Sequence, residues 1–493
     1  MNAAVADTGH GAKAFGGAVW LGASTGLNSL LQFAQIVILA RLLTGTEVGV
    51  VAILVIVVSV IDMFTDLGMS NALIQKKNIT QSDVSSVYWF NVGVGFLLAV
   101  SAFFAAAPLA ALYNEPALEG AIRWISLVFL ISPHGQVFRG LLEREHRFRP
   151  VGVSEAASGI TGVILTIVGA LLGWGVFSYV LGRVANAAVR TGLLQLFARS
   201  AHHRITFAFH PRRAFSLLRF GAIQTVDALV SFVHNSVGTL VVGRMVSVSQ
   251  LGGFNLAFNL AVNLPGTVNG VFSRAAFPSL SRMQDDEGTL VRGYLKLLRV
   301  TGFVNFPVLV GLALVAQDLV PVLFGDRWTW IVQIVQILAI GGCVRALTSP
   351  LSSLFMSVGR PEVSLIVNVV RTTLVLGGVL LTAATGGTVA VALVVSAGAA
   401  VTLLLNMVIL KWRFRIGFGM FLMAILRPTL LVLPMAVSVW GAHIVMNGMQ
   451  WTALLALAVE VLVGAFVFVG TVLLTKDSIG QEILQNIRRI AGR

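Results

Sequence analysis

Arg139, Arg183, Arg190, Arg345 and Arg371 lie inside long apolar stretches of this chain. An arginine at the centre of a membrane helix costs about 2.5–3.5 kcal/mol on insertion scales, so a chain that keeps several points to an anionic group they share. Guanidinium forks grip phosphate and pyrophosphate oxygens two at a time. Arg183, Arg345 and Arg371 are the candidates for holding a pyrophosphate, whereas Arg139 and Arg190, nearer the ends of their runs, fit snorkelling or pairing. The plainer reading of each is an ion pair with Asp62, Asp66, Asp227 or Glu460.

Other polar residues in the same kind of stretch form stripes. Gln224, Asp227, Ser231, His234 and Gly238 step by threes and fours and so share one helical face. Ser24, Asn28, Gln32 and Gln35 make a second stripe, Asn255, Asn259 and Asn263 a third, and Ser59, Asp62 and Asp66 a fourth. Such side chains either bond between neighbouring helices or line a water-filled cavity. Amides and hydroxyls both donate and accept, which suits a polyhydroxylated solute. Asn28, Gln32, Gln35, Gln224, Ser231, His234, Asn255, Asn259 and Asn263 are therefore the candidate sugar contacts, and Asp66 and Asp227 the candidate ion-coupling carboxylates or structural partners.

The elements that hold these residues follow from composition. Of 493 residues, 57% are hydrophobic and 11% charged, a ratio of about five where globular domains show about two. Apolar runs of spanning length fall near 17–40, 48–68, 84–107, 119–142, 151–172, 174–197, 217–243, 250–273, 291–316, 329–358, 363–385, 388–410, 423–446 and 451–474. The expectation is an all-α polytopic membrane protein of about 14 transmembrane helices, with no large extramembrane domain. No short apolar stretch with a small-residue cleavage site precedes residue 17, so no signal peptide is expected.

The net charge of +14 is an orientation signal. With a cytoplasmic N-terminus, most of the 34 basic residues fall on inner loops, among them Lys76, Lys77, Arg144, Arg147, Arg149, Arg212, Arg213, Lys411 and Arg413, while the outer side keeps Arg41, Arg123, Arg244 and Arg327. Both termini are then cytoplasmic. No basic run is interleaved with stacking aromatics, which excludes a nucleic-acid partner. Cys343 has no second cysteine to pair with. His202 and His203 lack acidic or thiolate neighbours at ligand spacing, and Asp285-Asp286-Glu287 reads as a solvated turn, so neither a metal nor any cofactor is expected.

One segment occurs twice. Arg41-Leu42-Leu43-Thr44-Gly45-Thr46-Glu47-Val48-Gly49 matches Arg244-Met245-Val246-Ser247-Val248-Ser249-Gln250-Leu251-Gly252, with Arg, Thr/Ser, Glu/Gln and Gly in register. Six spans separate the copies, so the two halves run in the same direction across the membrane, an arrangement that builds transporters with a central cavity. The predicted organisation is a six-helix lobe over 1–198, a basic cytoplasmic linker over 199–216, a pseudo-symmetric six-helix lobe over 217–415, two extra peripheral helices over 416–475, and an amphipathic cytoplasmic tail over 476–493. Pro133, Pro265, Pro307 and Pro350 are the expected bend points.

With these stretches in view, the sequence resembles the bacterial polysaccharide flippases of the multidrug/oligosaccharidyl-lipid/polysaccharide exporter superfamily. The resemblance rests on Arg41 to Gly49, on Asp66-Leu67-Gly68 through Gln75, and on Leu112-Tyr113-Asn114-Glu115-Pro116. It continues in Leu141 to Arg149, and in Leu323-Phe324-Gly325-Asp326-Arg327-Trp328 through Gly359-Arg360-Pro361. It covers residues 15–410 and is most similar to the exopolysaccharide branch that serves succinoglycan, xanthan or colanic acid. The family implies two lobes forming a V, alternating access, and a cationic cavity, onto which Arg183, Arg345 and Arg371 map by depth. Its cargo is an undecaprenyl-pyrophosphate-linked oligosaccharide repeat unit, moved across the bacterial inner membrane. A polysaccharide polymerase and a chain-length regulator are the implied protein partners, and membrane lipids surround it.

Three other functions compete. A cation-coupled multidrug exporter of the same superfamily would be expected to keep carboxylates rather than arginines inside its lobes. A lipid II-type flippase differs only in cargo. A membrane polymerase or ligase, the enzymatic alternative, needs a sizeable outer loop that the spacing of the spans leaves no room for, so the chain is not expected to be an enzyme.

Overall fold

The computed structural model describes residues 26–66, 79–199, 205–207, 210, 229, 232, 236, 238–266, 269, 280–284, 286–358, 361–449, 451–475 and 479–481. Among them no strand occurs. The helices are α1 (Gly26–Leu42), α2 (Gly45–Asp66), α3 (Gln81–Tyr113), α4 (Ala117–Arg144), α5 (Phe148–Leu171), α6 (Val176–Arg199) and α7 (Val248–Phe258). After them come α8 (Glu287–Phe324), α9 (Val332–Ser357), α10 (Glu362–Thr382), α11 (Gly386–Phe414), α12 (Phe418–Gly448) and α13 (Ala453–Thr475). Nine of the described helices are long and apolar enough to cross a membrane, and the apolar segments Gly26–Leu42 and Gly45–Val60 are shorter. The chain is a multi-pass α-helical membrane protein. Large apolar side chains such as Phe104, Leu381, Phe466 and Leu474 are left exposed, as a lipid-facing surface requires.

Local chemistry sets the helix ends. Thr80 caps α3 reciprocally with Asp83: its hydroxyl oxygen accepts the Asp83 N–H at 3.2 Å, and its own N–H donates to Asp83 Oδ2 at 2.9 Å. Asn114 closes the same helix in the left-handed conformation, φ 52°. Asp286 caps α8, its carboxylate accepting the Gly288 N–H at 3.0 Å and the Thr289 hydroxyl. At 38 residues α8 rises about 57 Å, well beyond the ~30 Å hydrocarbon layer, so its charged first turns project past the membrane.

The expected bends resolve individually. α4 is interrupted at Ser126 and Ser132 and restarts at Pro133. At Pro265 the helix widens: Asn259–Asn263 is a π-helical segment in which the Leu264 N–H reaches the Asn259 oxygen, five residues back. Pro265 has no N–H to give to the preceding turn, which makes the wider turn cheap. α8 and α9 continue through Pro307 and Pro350. Between the predicted spans 363–385 and 388–410 the helical run continues with a kink, at Gly387 with φ 60° and ψ −154°, a region only glycine occupies readily.

The duplicated segment has a physical explanation. In the first copy the Thr44 N–H and hydroxyl donate to Glu47 Oε2 at 2.8 and 2.9 Å, and the Glu47 N–H donates to Thr44 Oγ1 at 3.3 Å. In the second copy the Gln250 N–H donates to Ser247 Oγ at 3.1 Å. Each copy is therefore the N-terminal cap of the helix that follows. The two caps also touch. A Cβ on Gly49 would overlap the Val248 carbonyl oxygen, and one on Gly252 would come within 2.8 Å of the Gly45 oxygen.

The chain forms two compact units, residues 1–236 with 247–252 and residues 237–246 with 253–493. The first has a core of Val84, Val87, Phe138, Leu141, Leu142, Val151 and Leu194 from α3, α4, α5 and α6. The described part of the predicted linker docks on the start of α3, with Thr206 Oγ1 2.9 Å from Ser85 Oγ, Trp89 Nε1 donating to the Thr206 carbonyl at 3.0 Å, and His210 Nδ1 2.9 Å from Ser82 Oγ. In the second unit α8 is the hub against which α9, α12 and α13 pack, with Leu298, Phe306, Leu351, Phe414, Phe421 and Met435 in the core. Of the amphipathic tail, only residues 479–481 are described; Ile479 is buried.

Candidate functional site

Arg345 is halfway along α9 and Arg371 halfway along α10, both in the second unit, where α9 packs against the helical run Pro361–Phe414 that α10 begins. Both side chains are half-buried, and they lie near enough for their charges to repel. The Nε of Arg371 is buried without a hydrogen-bond partner. Two like charges held together away from water are costly unless an anion bridges them. Arg183 is half-buried in α6, in the first unit. Arg139 forms ion pairs to Glu143 at 2.8 Å and to Glu155 of α5 at 3.0 Å, neither of them among the carboxylates considered as partners from sequence.

The stripes divide. Asn28 donates to the Glu155 carbonyl oxygen at 3.3 Å and Gln35 to Thr166 Oγ1 at 2.9 Å, so both side chains tie α1 to α5 inside the first unit. Gln32 between them is exposed. Asn255, Asn259 and Asn263 form a ladder: the Asn259 amide donates to Asn255 Oδ1 at 2.8 Å, and the Asn263 amide to Asn259 Oδ1 at 2.9 Å. The ladder runs into the π-helical turn and ends at the exposed Asn263. Gln224, Asp227, Ser231 and His234 lie outside the described residues, as does the side chain of Asp66.

Residues 38–333 match the family described as polysaccharide biosynthesis protein. The lipopolysaccharide biosynthesis protein WzxC of Escherichia coli (strain K12) is 31% identical over 447 residues, 88% of this chain and 89% of its own. The chain belongs to the polysaccharide biosynthesis protein family. The succinoglycan biosynthesis transport protein ExoT of Rhizobium meliloti (strain 1021) is 27% identical over 468 residues, 93% of this chain and 92% of its own. Among solved structures, the lipid II flippase MurJ in an inward closed conformation superposes with a TM-score of 0.74, covering 94% of this chain and 100% of that one. At 16% identity that likeness establishes the shared fold.

This family member also holds a cluster that sequence reasoning missed. Asp318 of α8, His443 of α12 and Glu460 of α13 converge, with His443 Nδ1 3.1 Å from Asp318 Oδ2 and 2.7 Å from Glu460 Oε1. Glu460, a candidate partner for an in-span arginine, bonds instead to His443. The available signal was an ionisable residue in an otherwise uncharged span of 23 residues.

Proposed function

We propose that the protein flips polyprenyl-pyrophosphate-linked oligosaccharide repeat units from the cytoplasmic to the outer leaflet of a bacterial inner membrane, by alternating access and without covalent chemistry. The observation that carries this reading is the Arg345–Arg371 pair: two guanidinium groups within Coulombic range, midway along two membrane helices of the second unit. An anion with two phosphoryl groups offers each fork its own oxygens. Family membership supports the reading, as do relatives named for lipopolysaccharide biosynthesis and succinoglycan transport.

The lipid tail keeps its place in the bilayer because extracting it would forfeit about 0.8 kcal/mol per CH₂. Only the head group needs a polar route. Arg183, Arg345 and Arg371 are assigned to the pyrophosphate. Gln32 and the Asn255–Asn259–Asn263 ladder are assigned to the sugars, with Gln224, Ser231 and His234 on the companion stripe. Asn28 and Gln35 are assigned only a secondary part, since each already bonds within its unit. Asp66 and Asp227 remain the proposed coupling carboxylates of the two lobes, both termini are assigned to the cytoplasm, and a polymerase and chain-length regulator are the proposed partners.

The test is complementation of polymer export. In a strain lacking the native gene, Arg345→Ala and Arg371→Ala are expected to lower surface polysaccharide at normal membrane levels of the protein. Wild-type export from both single variants and from the double variant would overturn the pyrophosphate assignment.

A further inference from the structure

A second polar centre lies in the part of the second unit made by α8, α12 and α13. Asp318, His443 and Glu460 meet there with side-chain exposures of 13%, 16% and 0%. The halves of these three mutually packed helices that carry the cluster contain no other ionisable group: 310–324 of α8 hold only Asp318, 435–448 of α12 only His443, and 453–466 of α13 only Glu460. The fourth polar neighbour is the Asn447 amide, 3.0 Å from His443 Nε2.

Charge and hydrogen counting constrain the cluster. One imidazole nitrogen faces two carboxylate oxygens at 2.7 and 3.1 Å, yet Nδ1 can supply a single hydrogen. With a neutral imidazole and both acids ionised, the cluster holds two negative charges at a nearly dry site. Protonating the imidazole leaves one. Glu460 Oε2, fully buried, has no hydrogen-bond partner, so that carboxylate is only half satisfied. Some cation must enter for the cluster to reach neutrality. The contact lengths choose among cations. Ligand atoms around a tetrahedral zinc, with bonds of about 2.0–2.1 Å, stand about 3.3 Å apart. The observed 2.7 and 3.1 Å are instead hydrogen-bond lengths.

We propose that Asp318, His443 and Glu460 form a proton-binding site, and that proton uptake there clamps α12 and α13 against α8. The site uses none of the arginines or amides assigned to cargo and does not depend on what the cargo is. The linkage has a definite sign. Protons bound by the packed cluster and released when it opens stabilise the packed form at low pH, and that contribution is lost as the pH rises.

The experiment is thermal unfolding of the full-length protein in detergent between pH 5.5 and 8.5, comparing wild type with Glu460→Gln and Asp318→Asn. The wild-type Tm is expected to fall across this range by about 2–4 °C more than that of either variant. Parallel profiles in wild type and both variants would overturn the proposal. So would a rise in the wild-type Tm at pH 8.5 on adding micromolar zinc that is absent from both variants, since that would make the cluster a metal site. The asparagine variant guards against misfolding of the glutamine one, because either alone, folded, gives the comparison.

Discussion

Arg345 and Arg371 stand out as two like charges carried inside membrane helices. Each sits half-buried on a membrane helix, each repels the other, and the Arg371 Nε lacks a hydrogen-bond partner. Charge-assisted hydrogen bonds contribute about 1.5–3 kcal/mol each, so replacing either arginine by alanine should weaken binding of a pyrophosphate-bearing lipid by about 10–100-fold. Lysine at position 371 keeps the charge but loses the planar fork. Arg371→Lys is therefore expected to bind more weakly than wild type and better than Arg371→Ala in the same lipid-binding titration; equal affinity for all three would remove the fork from the account. Depth in an apolar run made these arginines legible in the sequence. Their proximity was not, because it depends on how α9 and α10 pack, and the Asp318–His443–Glu460 cluster escaped for the same reason, its members lying on three helices. Asn28 and Gln35 show the converse limit: a polar stripe is visible in sequence, but whether it faces a cavity or a neighbouring helix is decided by packing.

The helices were legible because apolar runs of spanning length leave few alternatives, while their extents were not. α3 and α8 outrun the predicted spans at both ends, because caps at Thr80, Asn114 and Asp286 fix boundaries that hydropathy does not see. The duplicated segment is a pair of caps in contact. Thr44→Ala and Ser247→Ala should each cost about 1 kcal/mol of stability, measurable in detergent unfolding. Gly49→Ala should be worse, about 1–3 kcal/mol, because the new Cβ would meet the Val248 backbone rather than a side chain that could move. A Gly49→Ala protein as stable as wild type would mean that the two caps do not touch. At α8 the Thr289 hydroxyl, then the neighbouring backbone amides and Arg292, hold the Asp286 carboxyl below the ordinary value of 3.8. Its cap is thus fully present above that value and lost as the pH falls below it. Amide exchange in the first turn of α8 should be faster in Asp286→Ala than in wild type at pH 7, and the two should converge in strong acid.

Across the whole chain, the +14 charge divides into an orientation signal on the loops and a few arginines inside the spans. The positive-inside bias predicts a cytoplasmic C-terminus: an alkaline phosphatase fusion there should be inactive and a fluorescent protein fusion bright, and the opposite pair would reverse the topology. The family and its fold could be read from the order of local motifs, because they recur at caps and turns that the fold requires. The measurement that decides the account is reconstituted flipping. Purified protein in vesicles with a polyprenyl-pyrophosphate-linked oligosaccharide in one leaflet is expected to move the head group to the other leaflet, where an impermeant glycosidase gains or loses access to it, and the Arg345→Ala/Arg371→Ala double variant is expected to slow that movement at least about tenfold. Equal rates for wild type, double variant and protein-free vesicles would contradict it.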